Sequence, residues 1–216
     1  GKFSGHQLHL FEKLTPAVVV VDYDVLVGGL DCVLPDFVGG MNQAAGYLTT
    51  HYQNIGLIAG LELTTDGQRV RDVREKTFLN ALKDRERYNP KLVKVENYTV
   101  DGGYKAMKEL LAGPESLDAV MVTNDAMAVG VLRALHEAHV VIPDQIALVS
   151  FNDIESVTCN LYPALSAVHV ATDQMASVAI ELLGRRLADS ELAPQRVVVG
   201  TRLMLRQSTP PEETNS

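Results

Sequence analysis

Two dipeptides stand out for what they could hold. Asn124-Asp125 follows the apolar run Ala119-Val-Met-Val-Thr123, and Asn152-Asp153 follows Ala147-Leu-Val-Ser-Phe151. An asparagine amide both donates and accepts, as a sugar hydroxyl does, so two of them at neighbouring strand ends suit a polyol. Asn and Asp are also the usual residues of caps and turns, and each pair reads that way as well. Arg74 lies in Arg69-Val-Arg-Asp-Val-Arg-Glu-Lys-Thr-Phe78, just beyond the run Ile55-Gly-Leu-Ile-Ala59. Its fixed fork of donors fits two hydroxyls or a carboxylate. Beside Arg69 and Arg71 it reads equally as a solvated surface charge. Tyr98 offers a flat apolar face for a ring to stack on, or for ordinary packing.

No catalytic constellation accompanies these residues. GxSxG, HExxH, a Walker loop and GxGxxG are all absent, and Gly28-Gly29 and Gly39-Gly40 lack dinucleotide spacing. The six histidines are scattered, none beside a Ser or Cys in a known motif. Cys32 and Cys159 lie far apart without CxxC or matched His spacing, which points to reduced thiols rather than a zinc site or a disulfide. The expectation is a protein that is not an enzyme and has no cofactor and no metal.

The elements that must position the polar residues alternate. Short apolar runs at residues 17–22, 32–34, 55–59, 92–96, 119–123 and 147–151 predict strands, most ending in a polar residue or Gly. Segments 39–51, 71–82, 102–111, 126–138 and 172–187 carry apolar residues at three-and-four spacing and predict helices. That alternation is the pattern of an α/β fold with a parallel sheet covered on both faces, whose ligands bind at the carboxyl ends of the strands. Asp125 and Asp173 are placed to cap the helices that begin beside them. Residues 195–206 read as strands bent at Gly200, and the polar tail from Thr209 reads as disordered.

With 46% hydrophobic and 21% charged residues, 216 residues can bury a substantial core in one or two globular units. No apolar run approaches bilayer length, so no membrane partner is expected. The formal net charge of −8 opposes binding to a polyanion through these residues alone. The opening Gly1-Lys-Phe-Ser-Gly-His-Gln7 has neither an initiator Met nor an apolar signal core, which reads as a fragment of a cytoplasmic protein.

The order of motifs resembles the lactose/galactose repressor family over nearly the whole chain. The resemblance rests on Ile55-Gly-Leu-Ile-Ala-Gly60, the Arg74–Phe78 segment, Tyr98 to Tyr104 and Ala119-Val-Met-Val-Thr-Asn-Asp-Ala-Met-Ala-Val-Gly130. It continues through Ile142-Pro-Asp-Gln-Ile-Ala-Leu-Val-Ser-Phe-Asn-Asp153, Tyr162-Pro-Ala-Leu-Ser-Ala-Val-His169 and Arg202-Leu-Met-Leu-Arg-Gln-Ser208. It implies a two-lobed periplasmic-binding-protein-like (type I) α/β core with three crossovers, preceded in the family by a helix-turn-helix head. By the same resemblance, this sequence is expected to lack the head and the first part of the N-terminal lobe. The implied lobes are residues 1–49 with 170–199, proximal to the head, and 50–169 with 200–216, distal, with the effector between them.

Carried over by position, the resemblance makes Arg74 the effector-holding arginine, Tyr98 the stacking aromatic, and Asn124 and Asn152 polar strand-end contacts. Asp36, in Leu34-Pro-Asp-Phe37, falls near a further polar contact. Two positions depart from the family's pattern: Thr77 replaces the usual Gly, and Asn152 replaces the usual Asp, removing a charge and a strong acceptor. The Phe-Asn-Asp form looks like members that sense galactosides. The implied partners are a small-molecule effector, a sugar such as a galactoside, a second copy in a homodimer, and operator DNA only through the helix-turn-helix head. The dimer surface would include the helix at 126–138 and the segment 155–161 around Cys159. A solute-binding protein of a sugar transporter shares the fold and is the alternative.

Overall fold

The computed structural model describes residues 10, 17–24, 30–63 and 67–210. The opening segment read as a fragment start and most of the polar tail, residues 211–216, lie outside the described residues. Thr209, expected at the start of that tail, is instead buried, its hydroxyl 2.8 Å from that of Ser166.

In chain order the elements are β1 (Val19–Val21), β2 (Asp31–Pro35), α1 (Phe37–His51), β3 (Ile55–Gly60), β4 (Glu62–Leu63), β5 (Arg69–Val70) and α2 (Val73–Asp84). A 3-10 turn (Pro90–Leu92), β6 (Val93–Glu96), α3 (Val100–Leu111), β7 (Ala119–Val122), α4 (Asp125–Glu137) and β8 (Ala147–Asn152) follow. The chain closes with the one-turn α5 (Glu155–Thr158), β9 (Ser166–Val170), α6 (Thr172–Ala188), β10 (Arg196–Val199) and β11 (Thr201–Met204). These form two compact units, Gly1–Asp36 with Ala171–Thr201 and Phe37–Val170 with Arg202–Ser216, between which the chain passes three times.

The smaller unit holds a three-stranded sheet, β1-β2-β10, parallel throughout and packed against α6. Its core is Val20, Leu30, Cys32 and Leu34. Arg186 of α6 is buried here and reaches both oxygens of buried Asp31, each at 3.0 Å.

The larger unit holds a six-stranded sheet in the order β11-β9-β8-β7-β3-β6, with the β6-β3-β7-β8-β9 run parallel. Every residue of β3 and β7 is buried. Helices on both faces explain why these strands read as unbroken apolar runs rather than alternating ones. The chain leaves β3 to one side, through α2 to β6, and returns across it, through α3, to β7. The point where strand order reverses thus lies between β3 and β7, and in open parallel sheets ligands bind beyond the carboxyl ends of the strands at such a point.

Several details depart from the sequence reading. α1 belongs to the larger unit, because it packs on α2 and β9, and the Tyr47 hydroxyl donates to the Pro210 carbonyl at 3.1 Å. The first division therefore falls at 36/37 instead of 49/50; the amphipathic pattern of α1 marks a buried face without saying which sheet it covers. Asp125 is not the cap of α4: Asn124 is, accepting from the Ala126 N–H at 2.8 Å. Asp173 does not cap α6, whose N-cap position is Ala171 with no side-chain bond. The strand β9 and the β4–β5 hairpin were not foreseen, since Ser166 and His169 interrupt one and the other has two-residue arms.

Candidate functional site

At the reversal point the larger unit gathers a cluster around Arg74. The residue enters at the first turn of α2, whose N-cap Asp72 accepts from the Arg74 backbone N–H at 2.7 Å. The same carboxylate holds the guanidinium, Oδ1 on Nε at 2.9 Å and Oδ2 on Nη2 at 3.2 Å. Nη1 donates to the carbonyl of Thr123, the residue just past β7, at 2.9 Å, and Nη2 to the Tyr98 hydroxyl at 3.0 Å. The fork is therefore fixed before any ligand arrives, which is how a recognition group is preorganised.

Three rings surround the guanidinium. Its carbon lies 5.5 Å from the centroid of Phe37, 5.4 Å from that of Tyr98 and 5.7 Å from that of Phe151. Phe37 and Phe151 are themselves stacked, centroids 5.8 Å apart. Rings at such distances attract the cation through their quadrupoles and exclude water from its flat faces. Tyr98 sits close above Gly60 at the end of β3: a Cβ there would fall 2.0 Å from its ring. Burial pushes the Tyr98 hydroxyl above its usual range despite the nearby Arg74 charge, keeping it a neutral donor and acceptor. That hydroxyl also lies 3.5 Å from Glu62 of β4.

Of the residues expected from sequence, Arg74 and Tyr98 touch directly. Asn124 follows Thr123, whose carbonyl Arg74 holds, but its own side-chain oxygen is committed to capping α4. What it can offer a ligand is its amide nitrogen. Asn152 follows Phe151 at the end of β8 with φ 108°, and Asp153 follows with φ 58°. Two consecutive non-glycine residues in the left-handed region are strained, and such strain gathers at ligand sites. Asp36 lies just past β2 in the smaller unit, its N–H donating to the Val199 carbonyl at 2.8 Å and its own carbonyl accepting from the Thr201 hydroxyl at 2.9 Å. The sequence reading missed Asp72, Phe37, Phe151 and Glu62. The Asp two residues before Arg74 was legible as a helix cap; the aromatic enclosure was not, because its rings come from α1, the connection after β6, and β8.

The second Asp of each dipeptide turns inward. Asp125 accepts from the Ser150 hydroxyl and from the Ile154 N–H, and burial raises its pKa. Asp153 is gripped by Arg206 through both oxygens, at 2.7 and 2.9 Å, by the Thr158 hydroxyl at 2.6 Å and by His169 Nδ1 at 3.1 Å. Burial pushes the Asp153 carboxyl up, but these bonds, Arg206 first, outweigh it and hold it below its usual range. Arg206 and Ser208 thus tie the last strand into the sheet; the Ser208 hydroxyl donates to the Leu148 carbonyl at 2.6 Å and accepts from the Ser166 N–H at 2.7 Å. The Phe-Asn-Asp and Arg-Gln-Ser motifs are two halves of one contact. His169 and Glu155 stand near Asp153, yet a cation there would have to displace Arg206.

A parallel α/β unit with a polar and aromatic cluster at its reversal point, joined by three passages to a second α/β unit, is the build of a periplasmic-binding-protein-like domain. The sequence profile of the periplasmic binding protein-like domain matches residues 46–209. The chain is 35% identical over 212 residues to the HTH-type transcriptional regulator GalR of Streptococcus thermophilus, covering 97% of this chain and 64% of that protein. A LacI transcriptional regulator from a Rhodococcus species superposes with a TM-score of 0.84 at 25% identity, over 98% of this chain and 76% of the other. A CelR–cellobiose complex superposes with a TM-score of 0.76 at 25% identity, over 95% of this chain and 71% of the other. The chain belongs to the periplasmic binding protein-like domain family. It spans just under two thirds of the length of the GalR relative.

Proposed function

We propose that this chain is the effector-sensing and dimerising core of a transcriptional repressor that responds to a sugar. The observation that carries the reading is Arg74, fixed between Asp72, the Thr123 carbonyl and the Tyr98 hydroxyl at the reversal point of the sheet. A sugar would stack an apolar face against an aromatic ring and direct its hydroxyls to Arg74 and to the amides of Asn124 and Asn152. Asp36 is a further contact in this reading. The GalR relative is by name a transcriptional regulator, and the CelR structure holds cellobiose, which favours a regulator over a transporter's solute-binding protein. Binding would act by favouring one of two conformations for which the effector has unequal affinity. Operator DNA would be bound by a helix-turn-helix head, not by these residues. Pairing of two copies would use the surface around Ile154, exposed Cys159 and Tyr162, the last 94% exposed.

Losing a charge-assisted hydrogen bond costs about 1.5–3 kcal/mol, so Arg74→Ala in the full-length protein should weaken sugar binding by roughly one to two powers of ten. Repression should persist while induction fails. Calorimetric titration with galactose, lactose and cellobiose measures this, and equal affinities in wild type and variant would remove Arg74 from the site. Gly60→Ala makes a separate demand. Its methyl must push the Tyr98 ring off β3 and away from Arg74, at the cost of one buried hydrogen bond, so binding should fall about tenfold while the fold is kept. A Gly60→Ala protein that binds like wild type with an unchanged circular dichroism spectrum would show that the position of Tyr98 does not matter.

A further inference from the structure

We infer that Thr123 is a positioning residue for Arg74, and that it acts by exchanging the roles of its hydroxyl and its carbonyl. This rests on the reading of Arg74 as the effector contact and adds a residue that acts through it. In a parallel ladder, a residue whose N–H bonds a carbonyl on the next strand offers its own carbonyl to the N–H two residues further along that strand. Between β3 and β7 the register pairs Ile58 with Val122, and the Thr123 N–H donates to the Ile58 carbonyl at 3.1 Å. The next bond of the ladder would run from the Gly60 N–H to the Thr123 carbonyl. It runs instead to the Thr123 hydroxyl, at 3.1 Å, and the carbonyl accepts from Arg74 Nη1 at 2.9 Å.

Thr123 and Gly60 are both buried, so each of these backbone groups has to find its partner inside the protein. A hydroxyl accepts as well as donates, and can therefore stand in for a carbonyl at the end of a ladder. Valine has the shape of threonine without the acceptor. With valine here, one carbonyl would face two donors, the Gly60 N–H and the Arg74 guanidinium. The exchange bears on both terminal nitrogens of Arg74. Nη1 is held by the Thr123 carbonyl directly. Nη2 is held by the Tyr98 hydroxyl, and the Tyr98 ring lies on Gly60, the residue that the Thr123 hydroxyl fixes. Thr123, Gly60, Tyr98 and Arg74 thus close a ring of contacts across the reversal point, in which the first two support the groups that would meet a ligand.

The test is a cycle of variants in the full-length protein. In urea unfolding without ligand, Thr123→Val should raise the unfolding equilibrium constant about tenfold on the wild-type background. On Arg74→Ala it should raise it less than about threefold, because there the carbonyl is free to return to the ladder. Equal changes on the two backgrounds, failure to fold on both included, would make Thr123 ordinary packing and overturn the inference. Calorimetric titration with galactose, lactose and cellobiose reads the same coupling in binding. The sugar that binds wild type should bind Thr123→Val about tenfold more weakly, and Thr123→Ser, which keeps the hydroxyl, within about threefold of wild type. Thr123→Ser as weak as Thr123→Val, or Thr123→Val as tight as wild type, overturns the inference while the sugar-sensing reading stands. If no sugar binds wild type, the sugar-sensing reading fails, and the unfolding cycle still decides whether Thr123 holds Arg74.

Discussion

Replacing Asp153 by alanine should lower the unfolding free energy of the protein by about 3 kcal/mol, the lower end of what removing one partner of a buried ion pair costs. The lower end applies because the abandoned Arg206 side chain keeps 15% exposure and can recover some hydration, while the Asp153 side chain is fully buried. The pair is held by two short bonds, and Thr158 and His169 satisfy the remaining lone pairs, so the loss exceeds that of a single contact. Urea unfolding of wild type, Asp153→Ala and Asp153→Ala/Arg206→Met measures it. The double variant should recover much of the deficit, since it no longer leaves a guanidinium facing an apolar gap. A single variant as stable as wild type would show the pair to be ornamental.

The same carboxylate fixes the sign of a pH effect. Asp153 titrates below its usual value in the folded protein, so its contribution is complete above the ordinary Asp range and is lost as pH falls through the lower folded-state value. The gap in stability between wild type and Asp153→Ala should therefore close on acidification. Asp125 works against this: burial raises its pKa, so its charged form weakens the fold at neutral pH, and that penalty is relieved as pH falls through the raised value.

Much of the scaffold was legible because local chemistry and tertiary role agree. β3, β7 and β8 are buried on both faces and read as apolar runs, and the bend at Gly200 separates β10 from β11 as its place in the sequence suggests. Arg74 and Tyr98 were legible as a pair only through the order of motifs, since nothing local to residue 98 announces a hydroxyl 3.0 Å from a guanidinium on another element. What stayed hidden depends on long-range pairing. Phe37 was invisible as a site residue because α1 had been assigned to the wrong unit, and Asp153 could not be told from a turn residue without Arg206, 53 positions later. The exchange of roles between Asn124 and Asp125 has a similar cause. Either residue can cap a helix, and only the placement of Ser150 and the Ile154 N–H beneath Asp125 decides which one does.

Two glycines in helices should respond to alanine with opposite signs. Where α3 crosses α4, the backbones meet without intervening side chains. A Cβ on Gly130 would lie 1.9 Å from the Val100 carbonyl oxygen and 2.6 Å from the Tyr104 nitrogen, and one on Gly103 2.0 Å from the Met127 carbonyl oxygen. No rotamer relieves a clash with backbone, so Gly130→Ala must force the two helices apart, and their packing covers Met107, Val120, Met127 and Val131 of the core. Overpacking a tight site costs about 1–3 kcal/mol when side chains can yield, so about 3 kcal/mol or more is expected where only backbone is available to move. Gly46, in α1, has nothing within 4 Å of where its Cβ would stand. There alanine removes the unfolded-state entropy of glycine and should stabilise by about 0.5–1 kcal/mol. Urea unfolding of the two single variants compares the same methyl group in two settings. A Gly130→Ala protein within 1 kcal/mol of wild type would mean that α3 and α4 do not approach so closely, and with them would go the assignment of Gly103 as the other half of the contact.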